Sequence, residues 1–465
     1  MLWQPLALIA VAALLFAIRL LSPSNFLDQD QERPASYVLD VIKNGHWICQ
    51  RDFTGDITSK PPLYTWLCAL LSLPFGRVTL FSLYLPGAAA ACGTALLLWS
   101  FGRTYFGTRA AFLAALASMV TSAGLKEFGL ARTDAVFAFT VCATALLAFR
   151  AWTRGGGWTW FWLLAAAATL TKGPLGVLLA GAGLVAVWWE KKSGNPLPLK
   201  GGHALGIALF LALTVGWILL AYREFGPAVS DKLLGKELVG HAMGESHFPG
   251  SLFYQPTLYY LGRAAPWSLL CFYGLWRVWK RPSTDLETRR FERFLFCWFV
   301  IGLFIFSMAS HQRGDLLWPI MPAGALLATA GLGRTSTAHR MYLAGVALAG
   351  LMVVGYAWYY FGPHANQPLV VKTQAVKTLA KMAEGMPLEH TDDPVALQVY
   401  LNTWTPKISF DKAAELLRGD KRVFVAVSDV KKLDLARRED DPPLYTVAAT
   451  EDPQWVRVVS NRPKN

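Results

Sequence analysis

The sequence predicts an all-α polytopic membrane protein with a small soluble α/β domain at its C-terminal end. Three observations support this fold class. Of 465 residues, 54% are hydrophobic and 16% are charged, whereas soluble globular domains carry roughly 25% charged residues. Apolar runs near the ~20 residues that a membrane-spanning helix needs recur up to about residue 361. Beyond about residue 363 the composition becomes that of a soluble domain.

The first apolar run, 3–21, is interpreted as a retained helix, because it lacks the basic region and small-residue cleavage site of a signal peptide. Residues 62–76 are apolar but short and are flanked by Pro and Gly, which predicts a helix lying in the membrane interface. In total we expect about 11 to 13 transmembrane helices. The remaining predicted spans are 79–101, 109–124, 133–151, 158–171, 174–189, 203–222, 256–279, 293–309, 316–333 and 341–361.

The formal net charge of +13 is scattered among the loops rather than concentrated in one patch, which argues against a nucleic-acid binder. Lys and Arg cluster at 277–293 and in four other short loops that fall on one side. By the positive-inside rule that side is the cytoplasm. The protein is therefore predicted in a bacterial inner membrane, with the first outer loop at 22–78 and the C-terminal tail in the periplasm.

Two domains are predicted: a transmembrane domain at 1–362 and a periplasmic domain at 363–465. In the second, VALQVYL, KRVFVAVSD and WVRVVS are predicted as strands, and FDKAAELLRG as a helix. No pair of the six cysteines has metal-ligand spacing, and there is no GxxxxGK[ST] motif and no GxGxxG motif followed by an acidic residue. A donor reached from within the membrane therefore fits better than a nucleotide sugar.

Five groups of polar residues lie at the predicted outer ends of the spans, where ionisable side chains are functional candidates. The first outer loop contributes Asp30-Gln31-Glu32-Arg33, Gly45-His46-Trp47 and Lys60-Pro61-Pro62-Leu63-Tyr64. The others are Ala131-Arg132-Thr133-Asp134-Ala135, Leu170-Thr171-Lys172-Gly173-Pro174, His247-Phe248-Pro249 with Pro266-Trp267-Ser268-Leu269, and Ser310-His311-Gln312-Arg313.

Taken together, these motifs resemble the integral-membrane glycosyltransferases of the GT-C fold that use a polyprenyl-phosphate sugar, in particular the lipid A aminoarabinose transferase and protein O-mannosyltransferase superfamily. The resemblance covers roughly residues 1–335. It implies an inverting transfer from an undecaprenyl phosphate donor to lipid A or a related glycolipid. It implies catalytic roles for Asp30 and Asp134, and substrate-binding roles for Arg33, Lys60, Tyr64, Arg132, Lys172, His247 and Arg313.

The chain departs from the superfamily pattern at two positions of the first loop. Gln31 stands where Glu often follows the first Asp, and Ser59 stands where aminoarabinose transferases have a Glu that contributes to a metal site. A divalent metal is therefore not supported, and the cofactor stays open.

Plainer interpretations remain beside these. Asp30 and Asp134 are also suited to helix capping, Lys60 and Lys172 to snorkelling, and His247 and Arg313 to ordinary surface positions. Two other functions are a protein O-mannosyltransferase, and a lipid transporter without chemistry, for which the sequence lacks paired broken helices in two related halves.

Overall fold

Helices make up most of the computed structural model, which describes residues 3–232, 252–309, 312–331, 338–451 and 455–463. One small sheet lies near the C-terminal end, so the predicted fold class is confirmed. The chain forms two compact units. The first comprises Met1–Ile18, Ser59–Tyr64 and Tyr84–Ala357, and the second comprises Arg19–Thr58, Thr65–Leu83 and Trp358–Asn465. The domain boundary expected at residue 362 stays a prediction.

The helices up to residue 361 follow the predicted runs, apart from one at 29–44 in the predicted first outer loop. They are α1 (Trp3–Leu21), α2 (Gln29–Asn44), α3 (Leu63–Ser72), α4 (Leu80–Phe106), α5 (Thr108–Val120), α6 (Ser122–Lys126), α7 (Asp134–Arg154), α8 (Trp158–Lys172), α9 (Leu175–Gly181), α10 (Ala186–Lys192), α11 (Ala204–Phe225), α12 (Gln255–Arg263), α13 (Trp267–Lys280), α14 (Leu286–Met308), α15 (Met321–Thr329) and α16 (Ala338–Phe361). Single turns of 3₁₀ helix occupy Leu73–Phe75 and Ala182–Val185, and a longer one occupies Gly314–Ile320.

Six helices of the described chain are long and apolar enough to cross a membrane: α1, α4, α7, α11, α14 and α16. This confirms a multi-pass membrane protein. Four predicted spans are interrupted: 109–124 at Thr121, 174–189 by a 3₁₀ turn, 256–279 near Pro266, and 316–333 by a 3₁₀ stretch that contains Pro319. Proline lacks the N–H that an α-helix needs in its interior, which accounts for the last two. The total number of crossings and the interfacial position of α3 stay predictions.

Glycine allows close packing of helices in the first unit. A Cβ on Gly274 of α13 would overlap the backbone oxygen of Leu327 in α15, and a Cβ on Gly302 of α14 would overlap the side chain of Ile320. Lipid tails are as apolar as the helices, so close van der Waals contact through small residues is a main source of attraction between spans.

The second unit contains α2 and a four-stranded sheet of order β1–β2–β4–β3. Its strands are β1 (Leu388–His390), β2 (Phe424–Val427), β3 (Tyr445–Ala449) and β4 (Arg457–Ser460). The β1–β2 pair is parallel and the other two pairs are antiparallel. The C-terminal helices are α17 (Pro368–Met382), α18 (Val395–Leu401), α19 (Phe410–Arg418) and α20 (Val430–Leu435).

The strand predicted at VALQVYL is wrong, because these residues form helix α18. The helix follows Pro394, and the Glu32 carboxylate of α2 accepts a hydrogen bond from the backbone N–H of Ala396 at 2.8 Å. That bond satisfies a first-turn N–H that has no partner within the helix. Asn402 then ends the helix in the left-handed conformation. The other predictions for this region, α19, β2 and β4, are confirmed.

Candidate active site

An ion pair joins the ends of two consecutive helices, α7 and α8. Asp134 is the first residue of α7 and Lys172 is the last residue of α8, and the helices are antiparallel neighbours joined by a short glycine turn. The Lys172 Nζ lies 2.5 Å from the Asp134 Oδ1, and the two side chains are 17% and 14% exposed. A carboxylate at a helix N-terminus and an ammonium at a C-terminus are each stabilised by the helix dipole.

Local backbone structure fixes both partners. Helix α8 ends where Gly173 takes a φ of +89°, a region open to glycine and strained for other residues. The Nζ of Lys172 also lies 5.7 Å from the ring centre of Phe137, one turn into α7. Lys60 adds an electrostatic attraction to Asp134 from the segment after the first outer loop. Arg132 also attracts Asp134, so three cations act on this carboxylate.

A second carboxylate, Asp315, lies in the 3₁₀ stretch Gly314–Ile320 and is surrounded by cations from three parts of the chain. Its oxygens are 3.2 Å from Arg132 Nη1, 3.5 Å from Lys126 Nζ and 3.5 Å from Arg263 Nη2. Burial alone would raise the pKa of Asp315, but attraction by these three cations lowers it below its usual value. Asp315 is therefore ionised at neutral pH.

Glu127 is a third carboxylate, on which the negative charges of Asp134 and Asp315 both act. Its side chain is buried, and burial raises its pKa well above the usual 4.5, with a further increase from the negative charges of Asp134 and Asp315. Lys172 and Lys126 oppose that increase. Glu127 thus holds a proton far more readily than an exposed glutamate.

The cluster defined by Lys60, Lys126, Glu127, Arg132, Asp134, Lys172, Arg263 and Asp315 belongs to the first unit. It has five cationic side chains against three carboxylates. Lys126 and Arg263 keep 39% and 33% of their side-chain surface exposed. Such an arrangement suits a phosphate, whose charge is matched by partly exposed cations held on carboxylates that are largely withdrawn from solvent.

Four of the predicted site residues, Lys60, Arg132, Asp134 and Lys172, are brought together in this cluster. Arg313 is exposed and lies two residues before Asp315, and Tyr64 is buried in the first unit. His247 lies outside the described residues.

Asp30 and Arg33 belong to the second unit, where both lie in the first turns of α2. Asp30 does not cap that helix, since the N-cap is Asp28, whose carboxylate accepts a hydrogen bond from the Asp30 N–H at 3.2 Å. Arg33 is exposed.

The sequence analysis missed four members of the cluster: Lys126, Glu127, Arg263 and Asp315. A usable signal was present, because Glu127 lies five residues before Arg132 and Asp315 two residues after Arg313. Both are ionisable residues near the ends of spans, which is the criterion that selected the motifs.

The first outer loop contains a second ordered group, around Asp40. This fully buried carboxylate accepts hydrogen bonds from the backbone N–H of Arg51 at 2.8 Å and from Asn44 Nδ2 at 2.7 Å. The Nδ1 of His46 lies 3.0 Å from its Oδ1. Asp40 therefore fixes the orientation of the His46 ring.

No metal site is apparent from the described parts of the chain. Among these residues, no three or more His, Cys, Asp or Glu side chains are grouped so that they could hold an ion. Ser59, at the position of the superfamily's metal-site Glu, is largely buried.

Similarity to solved structures decides the fold. The crystal structure of ArnT from Cupriavidus metallidurans bound to undecaprenyl phosphate aligns with a TM-score of 0.79 at 19% identity, covering 98% of both chains. The chain has the GT-C fold. The oligosaccharyltransferase of Archaeoglobus fulgidus aligns with a TM-score of 0.56 at 15% identity, over 87% of this chain and 61% of that one. The GT-C fold that the motif resemblance implies is thereby confirmed.

Sequence comparisons agree with this GT-C assignment. A family model described as dolichyl-phosphate-mannose-protein mannosyltransferase matches residues 59–219, which include Lys60, Arg132, Asp134 and Lys172. The undecaprenyl phosphate-alpha-4-amino-4-deoxy-L-arabinose arabinosyl transferase 2 of Proteus mirabilis is 26% identical over 331 residues. The corresponding transferase of Pseudomonas savastanoi is 24% identical over 361 residues.

The match to these relatives is partial. It covers 69% and 73% of this chain, but 58% and 65% of the Proteus and Pseudomonas proteins. The chain therefore spans less than two thirds of the length of the curated relatives that it matches.

Proposed function

We propose that the protein is an inverting glycosyltransferase that moves a sugar from undecaprenyl phosphate to an acceptor at the periplasmic side, with lipid A or a related glycolipid as the acceptor. The observation that carries the proposal is the cationic cluster built on Asp134 and Asp315 at the ends of membrane helices. The cations of this site match the charged phosphate of such a donor, and the membrane around the helices accommodates its apolar tail. The names of the relatives supply the donor class.

The reaction breaks the bond between the anomeric carbon and the phosphate oxygen, and forms a bond from that carbon to the acceptor oxygen. Negative charge gathers on the leaving polyprenyl phosphate while positive charge develops on the sugar ring. Lys60, Arg132 and Arg263 are assigned to the leaving phosphate. Asp134 and Asp315 hold these cations in place, so little reorganisation is needed when charge develops.

Lys172 and Glu127 shape the field of the cluster. Lys172 neutralises Asp134, with which it pairs at 2.5 Å. Because burial raises the pKa of Glu127, this side chain adds less negative charge beside the phosphate than an exposed glutamate would. Both effects keep the net charge of the site positive, which favours the leaving group.

Asp30 is assigned to the acceptor. With a hydroxyl acceptor, its carboxylate takes the hydroxyl proton as the new bond forms, a contribution of about 10²- to 10⁴-fold. With a phosphate acceptor, which is already a nucleophile, Asp30 orients the acceptor instead. Arg33, Tyr64, His247 and Arg313 are assigned to substrate binding on the resemblance alone.

The proposed location is the bacterial inner membrane, with the cluster and the C-terminal tail in the periplasm. The five basic loops on the opposite side support this orientation. Single cysteines at the exposed positions Lys280 and Lys421 test it. Five of the six native cysteines are buried, so background labelling is low. Labelling of Lys280→Cys by an impermeant reagent in intact cells contradicts the orientation.

The activity is tested by reconstituting the full chain in lipid with an undecaprenyl phosphate-linked aminoarabinose donor and lipid A, and by mass spectrometry of the products. Asp30→Asn is the matched variant, since it keeps the size and loses the charge. We expect transfer by the wild type and loss of the chemical step, with donor binding retained, in the variant. Full activity of Asp30→Asn refutes its role, and absence of transfer by the wild type refutes this donor–acceptor pair.

Protein O-mannosylation is the second candidate, favoured by the family model that matches residues 59–219. It predicts loss of glycans from secreted proteins, with unchanged lipid A, when the gene is deleted. Mass spectrometry of both fractions from the same cells separates the two functions.

A further inference from the structure

Three arginines converge on one buried glutamate where α10 and α14 meet. Glu190 of α10 has no exposed surface, and Arg289, Arg290 and Arg293 lie in the first two turns of α14. This group belongs to the first unit and shares no residue with the candidate active site. The proposed function does not use it.

Only one of the three arginines is bonded closely to the glutamate. Arg293 Nη1 lies 2.7 Å from Glu190 Oε1, donates a hydrogen bond to Ser193 Oγ at 2.9 Å, and its guanidinium lies 4.9 Å from the ring centre of Trp189. Among these three arginines, Arg293 is therefore the one within hydrogen-bond distance of Glu190.

The other two guanidiniums lie nearby without such bonds. Arg289 Nε is 3.9 Å and Arg290 Nε is 3.7 Å from the Glu190 oxygens. Both Nε atoms are buried and donate no hydrogen bond within the described part of the chain. The side chains keep 21% and 15% of their surface exposed. Largely buried cations need an anionic partner, and one carboxylate cannot balance three guanidiniums.

Neighbouring charges do not supply the missing anion. Glu292, on the same helix, is bonded to Arg277 at 2.8 Å and accepts the Ser283 N–H at 2.8 Å. Lys191 and Lys192 follow Glu190 directly and are exposed, which adds positive charge. Glu287, in the first turn of α14, interacts electrostatically with Tyr105, and so do Arg150 and Arg154.

Exposed tryptophans locate this end of the helices at headgroup depth. Trp188 is 71% exposed, Trp279 is 59% exposed and Trp276 is 46% exposed. Trp189 packs against Trp279 at 5.5 Å between ring centres. Tryptophan concentrates at membrane–water interfaces. Helix α14 runs for 23 residues, about 34 Å, from this group towards the segment that contains Asp315.

We propose that Arg289 and Arg290 bind the phosphate of an anionic membrane lipid. The phosphate supplies the negative charge that Glu190 does not, and it meets two guanidiniums whose Nε–H groups lack acceptors. The acyl chains lie beside the exposed tryptophans. Basic pockets between membrane helices are suited to such headgroups, and Arg matches the geometry of a phosphate better than Lys.

The test compares two double variants of equal charge. Arg289→Gln/Arg290→Gln removes the proposed ligands, and Lys191→Gln/Lys192→Gln removes two exposed charges from the same end of the molecule. The full chain in detergent is titrated with dioleoylphosphatidylglycerol, dioleoylphosphatidylcholine or sodium phosphate, and bound lipid is counted by native mass spectrometry. Thermal melting without lipid checks that each variant is folded.

We expect the wild type to prefer phosphatidylglycerol over phosphatidylcholine, and the arginine variant to bind phosphatidylglycerol roughly 10- to 30-fold more weakly, as expected for lost hydrogen bonds to a charged phosphate. The lysine variant should stay within about threefold of the wild type, because Lys191 and Lys192 are not among the proposed phosphate ligands and the titration is done in detergent, without a charged lipid surface. Equal losses in both variants, or no loss in the arginine variant, overturn the proposal. Sodium phosphate that displaces the lipid at equal concentration also overturns it, because the site then serves a free anion. If the arginine variant does not fold, Arg290→Lys, which keeps the charge without the planar guanidinium, gives the same comparison.

Discussion

Removal of Lys172 tests the ion pair that anchors the candidate site. At the observed 2.5 Å, two unit charges in an effective dielectric constant near 20 attract by about 6.6 kcal/mol before desolvation is subtracted. Lys172→Met leaves Asp134 largely buried without its nearest cation. Loss of one partner of a buried pair costs about 3–5 kcal/mol. Because Lys60 still attracts Asp134, we expect a loss near the lower end, about 3 kcal/mol.

The free energy of unfolding is measured by SDS titration in mixed micelles. Lys126→Met is the matched control, because its ammonium lies 3.5 Å from Asp315 and is 39% exposed, and exposed pairs contribute about 0–1 kcal/mol. The double variant Asp134→Asn/Lys172→Met should be more stable than Lys172→Met, because it has no unpaired carboxylate. A loss in Lys172→Met as small as that in Lys126→Met, or a double variant no more stable than the single one, refutes the reasoning.

Three further predictions concern charge. Lys60→Ala should lower kcat by about 10²- to 10³-fold at saturating donor, as for loss of one preorganised electrostatic partner, and Lys60→Arg should lose less; wild-type turnover in Lys60→Ala removes this residue from the mechanism. Glu127→Gln mimics the neutral acid and should keep most transfer at pH 7, and inactivity at pH 7 would mean that the ionised form is needed. In the wild type, the buried acid lowers the free energy of unfolding as pH rises above 4.5, and this decline should flatten in the variant when unfolding is titrated at several pH values. Burial raises the pKa of Glu32 from 4.5 to about 7. The protonated side chain therefore stabilises the fold fully below pH 4.5, and up to ~3 kcal/mol of that stability is lost as pH rises to about 7. Glu32→Gln should remove this pH dependence in melting curves at pH 5 to 8, and an unchanged slope would contradict the assignment.

The sequence motifs predicted half of the residues in the cluster: Lys60, Arg132, Asp134 and Lys172. Asp134 and Lys172 each lie in a short motif at a helix end, so the sequence alone selected both. Their pairing was not predicted, because it depends on α7 and α8 lying antiparallel with matched lengths. Asp315 was missed since its partners are distant in sequence: it is 183 residues from Arg132. Glu127 was missed since its raised pKa depends first on burial, which the sequence does not state.

The error at residues 395–401 has a similar cause. The β-branched and aromatic residues of VALQVYL favour a strand locally. The bond from Ala396 to Glu32 links residues 364 positions apart and stabilises the first turn of a helix instead. Propensity is a weak prior that tertiary contacts override, and no pattern within the heptapeptide contains that information.

The glycine contacts at Gly274 and Gly302 bear on how loss-of-function data for this chain are read. Neither residue has a side chain that can bind substrate, and yet any larger residue there would collide with Leu327 or Ile320. A saturation mutagenesis screen scored only by growth would rank these two positions beside Asp134 and Lys172. Parallel measurement of protein abundance separates packing from chemistry, since the glycine variants should be depleted from the membrane while Lys60→Ala, a change at an exposed side chain, should accumulate normally. Attempts to change acceptor preference by directed evolution would therefore gain from holding both glycines fixed and varying the polar cluster alone.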